Sequence, residues 1–397
     1  MGFFSSSEVT KKEPIGVLPK CGACRLHKKC NFVKPEYHGR GKKKILIVTD
    51  NTTATEDDRK RHLVGDQWDL MRRAFAKVGI DIERDCWKTS AVICHSTKKP
   101  TSEQAEYCYP NIKKVIKELN PDIIIPMGLL AMKSVIRETW KEDVGEYARW
   151  PGWKIPCHEP NAWVCPVYGP KWLLQQRDKV AQVWLRRHLK GIAALKGKPW
   201  PSGAPDYDKQ VTVITDPDKA AKSLKKLLKK NVGKPLAFDY EANALKPEVE
   251  GFSVFSASVS DGETTLAFPW RGAVVHVMKE FLLSSKWKKI AANLKYEDRV
   301  TKQIFGKRVK GWDFDTMLGA HVIDCRSSIT GLKFLSFVYL GSPDYNYHIE
   351  GFLKGKDKSR INDIHKIGTY DLLLYNGLDS LLEYKLAEAQ KKELKIK

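Results

Sequence analysis

Two kinds of apolar pattern alternate along this chain. Short unbroken apolar runs read as buried strands. Stretches with apolar residues at i, i+3 and i+4 read as amphipathic helices. In the first half, residues 44–49 (Lys-Ile-Leu-Ile-Val-Thr) and 122–126 (Asp-Ile-Ile-Ile-Pro) are of the first kind, and 67–78 and 110–119 are of the second. Such alternation predicts an α/β sheet. Residues 140–170 hold five Pro and four Trp and predict a long packed loop. The second half repeats the theme: a strand at 211–215, a basic helix at 218–230, strands at 236–241, 251–259, 264–268 and 289–292, and a leucine-spaced helix at 370–392. Residues 196–205 are rich in Pro, Gly and Ser and read as a connection. The predicted organisation is one domain over 1–203, a linker over 204–209 and a second domain over 210–397, with 381–397 expected to lead away as a connecting helix.

Composition sharpens this picture. The chain has 397 residues, 42% hydrophobic and 29% charged, which is globular composition and enough for two domains. A net charge of +22 favours a polyanionic partner, most simply nucleic acid. The most apolar stretch, 123–132, is too short to span a bilayer, and the first seven residues lack the features of a signal peptide, so no membrane role is expected. Nine Cys, an odd number and clustered, suit a reducing compartment such as the cytoplasm and a metal or cluster site.

Cys21-Gly-Ala-Cys24 is a tight pair of soft ligands, and Cys94 and Cys108 lie in the same predicted domain. Thiolates select zinc or an iron–sulfur cluster, and spacing alone leaves both open. Cys30, Cys86, Cys157, Cys165 and Cys325 read as small hydrophobes. With these residues in place, 18–195 resembles the iron–sulfur uracil-DNA glycosylase superfamily. Four segments carry the resemblance: Cys21-Gly-Ala-Cys24-Arg-Leu; Thr89-Ser-Ala-Val-Ile-Cys94; Glu106-Tyr-Cys108-Tyr-Pro110, ahead of 120–128; and Val167-Tyr-Gly-Pro-Lys-Trp-Leu-Leu-Gln-Gln-Arg-Asp178. The resemblance implies a [4Fe–4S] cluster on Cys21, Cys24, Cys94 and Cys108.

The departures bear on activity. Where that family has a Gly-Glu-x-Pro-Gly type turn, this chain reads Val48-Thr-Asp-Asn-Thr-Thr-Ala54; Asp50 keeps an acid, but the turn-forming residues are gone. The uracil-reading Asn falls at Ser90 and the His of the last motif at Gly169. Glycine can neither stabilise a departing uracil anion nor contact DNA. The expectation is a glycosylase fold kept for DNA binding or scaffolding. The basic runs at 40–44 and 59–61 are candidate phosphate contacts, and Trp150, Trp153, Trp163 and Trp172 are candidate base-stacking or loop-packing residues.

The second half carries a carboxylate constellation. In Phe238-Asp239-Tyr240-Glu241, the two acids at i and i+2 share one face of a strand. Two adjacent carboxylates on a buried strand call for a cation between them. Asn293-Leu-Lys-Tyr-Glu297-Asp298 follows the strand at 289–292, and Tyr375-Asn-Gly-Leu-Asp379 places Tyr375 and Asp379 on one helical face. With Trp312-Asp-Phe-Asp-Thr-Met-Leu318 and Leu332-Lys-Phe-Leu335, residues 210–397 resemble the tyrosine subclass of the DEDD 3′→5′ exonucleases, especially the proofreading domain of bacteriophage-type family A DNA polymerases. The resemblance implies a ribonuclease H-like fold and two Mg²⁺ or Mn²⁺ ions. It gives Asp239 a bridging role, puts Glu241 and Asp379 on one ion, and makes Tyr375 the residue that orients the attacking water. Glu297 is the middle acid, with Asp298 the alternative, and Asn293 positions the loop or the terminal nucleotide. The implied substrate is a DNA 3′ end, single-stranded, and the implied partner a DNA polymerase, as a separate subunit or as the remainder of a longer chain, in a bacterial host's cytoplasm if the protein is a phage's. Two competing readings are a DNA-binding replication module and an active uracil-repair glycosylase.

Overall fold

A computed structural model describes residues 18, 20–31, 36–176, 179–345, 347–354 and 361–396. The chain divides into two compact units between Pro201 and Ser202. Arg177 and Asp178, at the end of the last glycosylase-like motif, lie outside the described residues.

The first unit is built on five strands: β1 (Ile45–Asn51), β2 (Cys86–Val92), β3 (Ile123–Met127), β4 (Ile155–Cys157) and β5 (Ala162–Val164). They lie in the order β2-β1-β3-β5-β4, all pairs parallel except β4 with β5. β1 is an interior strand, between β2 and β3, and Ile45 to Val48 are buried without interruption, because helices cover both faces of a parallel sheet. Ile45, Ile47, Ile123 and Ile125 pack with Met71 and Phe75 of the helix Gln67–Ala76 and with Leu185 and Leu189 of the helix Val180–Ala193. The alternate residues face the opposite way, toward the side that carries the helices Ser102–Leu119 and Leu129–Ile136.

Two sequence expectations change here. The helix expected at 110–119 begins at Ser102, where Thr101 and Gln104 form a reciprocal capping box, and Pro110 rides inside it. Residues 140–170 are not wholly irregular: they supply β4 and β5, three residues each, too short to show a period of two.

The second unit has six strands: β6 (Val211–Val213), β7 (Pro235–Ala242), β8 (Val254–Ser260), β9 (Thr265–Pro269), β10 (Lys288–Ala291) and β11 (Trp312–Asp315). The order is β11-β10-β7-β8-β9-β6, antiparallel for β7/β8 and β8/β9 and parallel elsewhere. One core joins Phe238, Tyr240, Val259 and Phe268 of the sheet to Leu224 and Leu228 of the helix Pro217–Lys230 and to Phe281 of the helix Ala273–Leu283. Asp216 caps the former helix through the Asp218 and Lys219 N–H groups, with Pro217 at its first position.

The helix Thr369–Leu394 lies along the sheet. Its close approach needs Gly377: a Cβ there would stand 2.3 Å from Val211 Cγ1 and 3.1 Å from Ala267 Cβ. The expectation that 381–397 leads away from the domain is corrected. Leu381, Leu382, Leu386, Ala387 and Gln390 are buried, so this stretch is part of the core. No described helix is long and apolar enough to cross a membrane.

Candidate active site

β7 delivers Asp239 and Glu241 to one face of the sheet, and the helix Thr369–Leu394 delivers Asp379 to the same place. Carboxylate oxygens of the three lie within 4.8 Å of one another. Opposite the two strand acids, β8 carries Ser258 and Ser256, small enough to leave the face open. The helix is tied to this face twice: Ser258 Oγ donates to the Asn376 carbonyl at 2.7 Å, and Asn376 Nδ2 donates to Asp239 Oδ2 at 2.6 Å.

Glu297 and Asp298 follow the helix start expected of them but face different ways. Asn293 takes a left-handed φ of 63° and opens the helix Leu294–Phe305. Asp315 fixes this turn by accepting from the Asn293 and Leu294 N–H groups at 3.1 and 3.0 Å. Asp298 is held by the Arg308 guanidinium and by the Val309 N–H at 3.0 Å. Glu297 is buried, its Oε2 has no hydrogen-bond partner, and burial and then the Asp239 charge push its carboxyl well above the usual range.

The two tyrosines meet Asp379. Tyr345 OH donates to Asp379 Oδ1, the Tyr375 hydroxyl also hydrogen-bonds this carboxylate, and the two rings stand 6.0 Å apart. Burial, then neighbouring carboxylates, raises Asp239 and Glu241; burial raises Asp379 to about 6. Oxygen donors massed at this density, with orphaned oxygens beside them, fit a hard divalent cation. Tyr345, Asn376 and Glu383 were missed in the sequence. Glu383 had a signal, since it sits at i+4 from Asp379; Tyr345 had none, because it comes from a loop.

In the first unit, Cys21, Cys24, Cys94 and Cys108 line one small cavity together with His27, Val92, Ile93 and Tyr107. The four come from the short helix Cys21–Cys24, the segment just past the end of β2 and the helix Ser102–Leu119. The Leu18 N–H points at Cys21 Sγ at 3.3 Å. Burial raises the Cys24 thiol, and raises Cys108 to about 11. Cys94 is also raised, first by a hydrogen bond with Cys30 and then by burial. Cys30 is buried in the apolar cluster that also holds Cys94, outside the lining of the cavity, and its thiol donates to the His27 carbonyl at 3.3 Å. Four thiols lining one small apolar cavity are soft donors of the kind an iron–sulfur cluster takes.

The residues at the glycosylase-type positions do not form an open pocket of donors. Asp50 accepts the Ala131 N–H at 2.9 Å, with the Leu130 and Leu129 N–H groups also acting on it, so it caps the helix Leu129–Ile136. Gly128 makes that fit possible, since a Cβ there would come within 2.3 Å of the Asp50 carboxylate. Burial nevertheless leaves the Asp50 carboxyl raised. Ser90 is fully buried and spends its hydroxyl on Thr49 Oγ1 at 2.8 Å. Gly169 has nothing nearer than 3.9 Å to a would-be Cβ, so space is present where the side chain is not.

Among the candidate stacking residues, Trp150 is wholly buried, with its Nε1 bonded to the Val144 carbonyl, and Trp172 stacks on Tyr168 at 3.8 Å. Trp150 is therefore a packing residue, while Trp172 is only partly buried. The basic residues of 40–44 and 59–61 are exposed, and Arg61 pairs with Glu83 at 2.6 Å.

Comparison with known proteins agrees with this division. Residues 36–190 match the uracil DNA glycosylase superfamily, and residues 211–395 match the 3′-5′ exonuclease family. A type-4 uracil-DNA glycosylase of Pyrobaculum aerophilum is 30% identical over 124 residues, 30% of this chain and 61% of that protein. A DNA polymerase of Bacillus phage SP01 is 26% identical over 217 residues, 53% of this chain and 22% of the polymerase. This chain therefore spans about three fifths of the one and about a fifth of the other. Among solved structures, Escherichia coli RNase D is similar at 14% identity and a TM-score of 0.32, over 47% of this chain and 45% of that one. The chain is a two-domain α/β protein: a glycosylase-like unit followed by a ribonuclease H-like DEDD exonuclease unit related to those of family A polymerases.

Proposed function

We propose that this protein is a 3′→5′ exodeoxyribonuclease of the proofreading kind, and that its glycosylase-like unit binds DNA or acts as a scaffold without excising uracil. The observation that carries the reading is the convergence of Asp239, Glu241 and Asp379 within 4.8 Å, with Glu297 buried beside them and two tyrosine hydroxyls on Asp379. Asp239, Glu241 and Asp379 would hold one divalent ion, and Asp239 and Glu297 would serve a second. The ions, when bound, neutralise charge on the scissile phosphate and lower the pKa of the attacking water. Asn376 fixes the rotamer of Asp239. Tyr375 orients the attacking water from its place on Asp379, while Tyr345 donates to Asp379 Oδ1. Glu297, not Asp298, is the middle acid, because Asp298 is already engaged by Arg308 and Val309. Asn293 acts through its backbone turn, which aims Glu297 into the site.

The cavity of Cys21, Cys24, Cys94 and Cys108 would hold a [4Fe–4S] cluster with a structural role. The capped Asp50, the buried Ser90 and Gly169 support the absence of uracil excision. A net charge of +22 supports DNA as substrate, and similarity to a phage DNA polymerase supports action beside a polymerase, in one chain or two. The test is release of nucleotides from a 3′-labelled single strand in Mg²⁺ or Mn²⁺. Wild type should release them, Asp239→Ala should lose at least ~10²-fold, and EDTA should stop the reaction. Full activity of Asp239→Ala or in EDTA ends this reading.

A further inference from the structure

The helix Pro217–Lys230 carries one unbroken cationic face. Leu224, Leu227 and Leu228 turn its other side into the core with Phe238 and Tyr240. Toward solvent, Asp218 is exposed in the first turn, and every later exposed position is lysine: Lys219, Lys222, Lys225, Lys226, Lys229 and Lys230. Side chains three and four residues apart stand beside one another on a helix, and like charges at that spacing repel. Lys222 has such neighbours in Lys219, Lys225 and Lys226, and Lys226 has them in Lys222, Lys229 and Lys230. A face that served only solubility would interleave glutamate there. The helix dipole favours Lys229 and Lys230, in the last turn, and does not reach the others. Lys230 pairs with Asp261 and Glu263 at 3.5 Å each, whereas among the described residues Lys222, Lys225, Lys226 and Lys229 take part in no ion pair.

We propose that this lysine face is a track for the phosphate backbone of the substrate DNA, upstream of the 3′ end being trimmed. This inference rests on the exonuclease reading. Side chains alternate along β7, so Phe238 and Tyr240, which pack with this helix, point away from Asp239 and Glu241. The track therefore lies behind the sheet, on the side opposite the acids, and takes no part in cleavage itself. Lysine ammonium groups are point charges that meet phosphates without reading bases, so the contact is independent of sequence, as trimming of any 3′ end requires. A membrane or a protein partner fits less well, because no apolar or aromatic side chain is exposed on this face of the helix to enter a bilayer or anchor an interface. From Lys219 to Lys230 the helix rises ~16 Å, the length of on the order of five phosphates at about 3.4 Å each. A strand held here while its end lies at the acids passes round the edge of the sheet, so only a long strand uses the track.

The first test uses the full wild-type chain in EDTA, which prevents cleavage. A single strand of about 30 nucleotides should shield Lys222, Lys225 and Lys226 from acetylation by an amine-reactive reagent, read by peptide mass, and a trinucleotide, about 10 Å long, should not. Equal acetylation with and without the long strand overturns the proposal. The second test is the triple variant Lys222→Gln, Lys225→Gln, Lys226→Gln. Its slope of log K against log salt for the long strand should be shallower by roughly 2, at about 0.7 for each phosphate contact on a single strand. In Mg²⁺ its KM for the long strand should rise about 10-fold or more with kcat unchanged, while both constants for the trinucleotide stay at wild-type values. Its Tm should hold or rise, because repulsion has been removed and glutamine keeps the helix. An unchanged salt slope, or a KM that rises equally for both substrates, overturns the proposal. Failure of the exonuclease reading looks different: wild type would then release nucleotides from neither substrate, while the acetylation pattern would still report the track.

Discussion

Glu297 and Asp298 are adjacent acids with opposite expected phenotypes. Asp298→Ala removes the acceptor of the buried Val309 N–H and the partner of Arg308. An orphaned buried donor costs about 1–3 kcal/mol. The Arg308 side chain is 67% exposed, so solvent screening limits its share to roughly 0–1 kcal/mol. The two together come to about 2 kcal/mol, which for a unit of this size lowers Tm by roughly 4–8 °C. The nuclease rate in Mg²⁺ should stay within about threefold of wild type, because both Asp298 oxygens are already engaged, by Arg308 and by the Val309 N–H. Glu297→Gln is nearly isosteric and removes a buried charge whose Oε2 has no partner. It should leave Tm in EDTA unchanged or higher, and should cut nucleotide release by ~10²–10³-fold, the scale of losing one strong transition-state stabiliser. The assay pairs differential scanning calorimetry of the full chain with single-turnover release from a 3′-labelled strand. The inverse pattern, an inactive but normally stable Asp298→Ala beside an active Glu297→Gln, would falsify the assignment.

Stability in EDTA should depend on pH in the direction set by the raised acids. Asp239, Glu241, Glu297, Asp379 and Glu383 all have folded values above the ordinary ones, so the folded state binds more protons than the unfolded chain. Stability should therefore rise as pH falls from 8 through about 6, the value for Asp379, toward the ordinary 3.8. Saturating Mg²⁺ should flatten that slope, and a Tm that falls on acidification from 8 to 6 contradicts the picture. Anaerobically purified protein should carry about four iron and four sulfide per chain, as a [4Fe–4S] centre requires, and Cys94→Ser should lose them; stoichiometric zinc in their place rules the cluster out. In EDTA, where the nuclease is silent, a uracil-containing strand should survive alkali intact, and breaks at uracil that Asp50→Ala abolishes would restore the repair reading.

What the sequence determines by itself is whatever depends on a local period. Asp239 and Glu241 share a strand face because side chains alternate every two residues, and Tyr375 and Asp379 share a helix face because a turn takes 3.6. The linear order of those motifs was enough to suggest the second unit's fold, and the Cys21–Cys24 pair with two later thiols was enough to suggest a soft-ligand site. Only the tertiary structure distinguishes the surroundings of Glu297 from those of Asp298. Arg308 and Val309, farther along the chain, close over Asp298 and not over Glu297. It alone brought Tyr345 from a loop to Asp379, Glu383 to the Ala292 N–H, and Cys30 into one buried cluster with Cys94. It turned a stretch that read as an exit helix into core, because Gly377 lets that helix lie against β6 and β9. It also joined β4 to β5, strands too short to have a period of their own. In each case the deciding contact lies between residues distant in sequence, and no local pattern encodes which distant surface a side chain will meet.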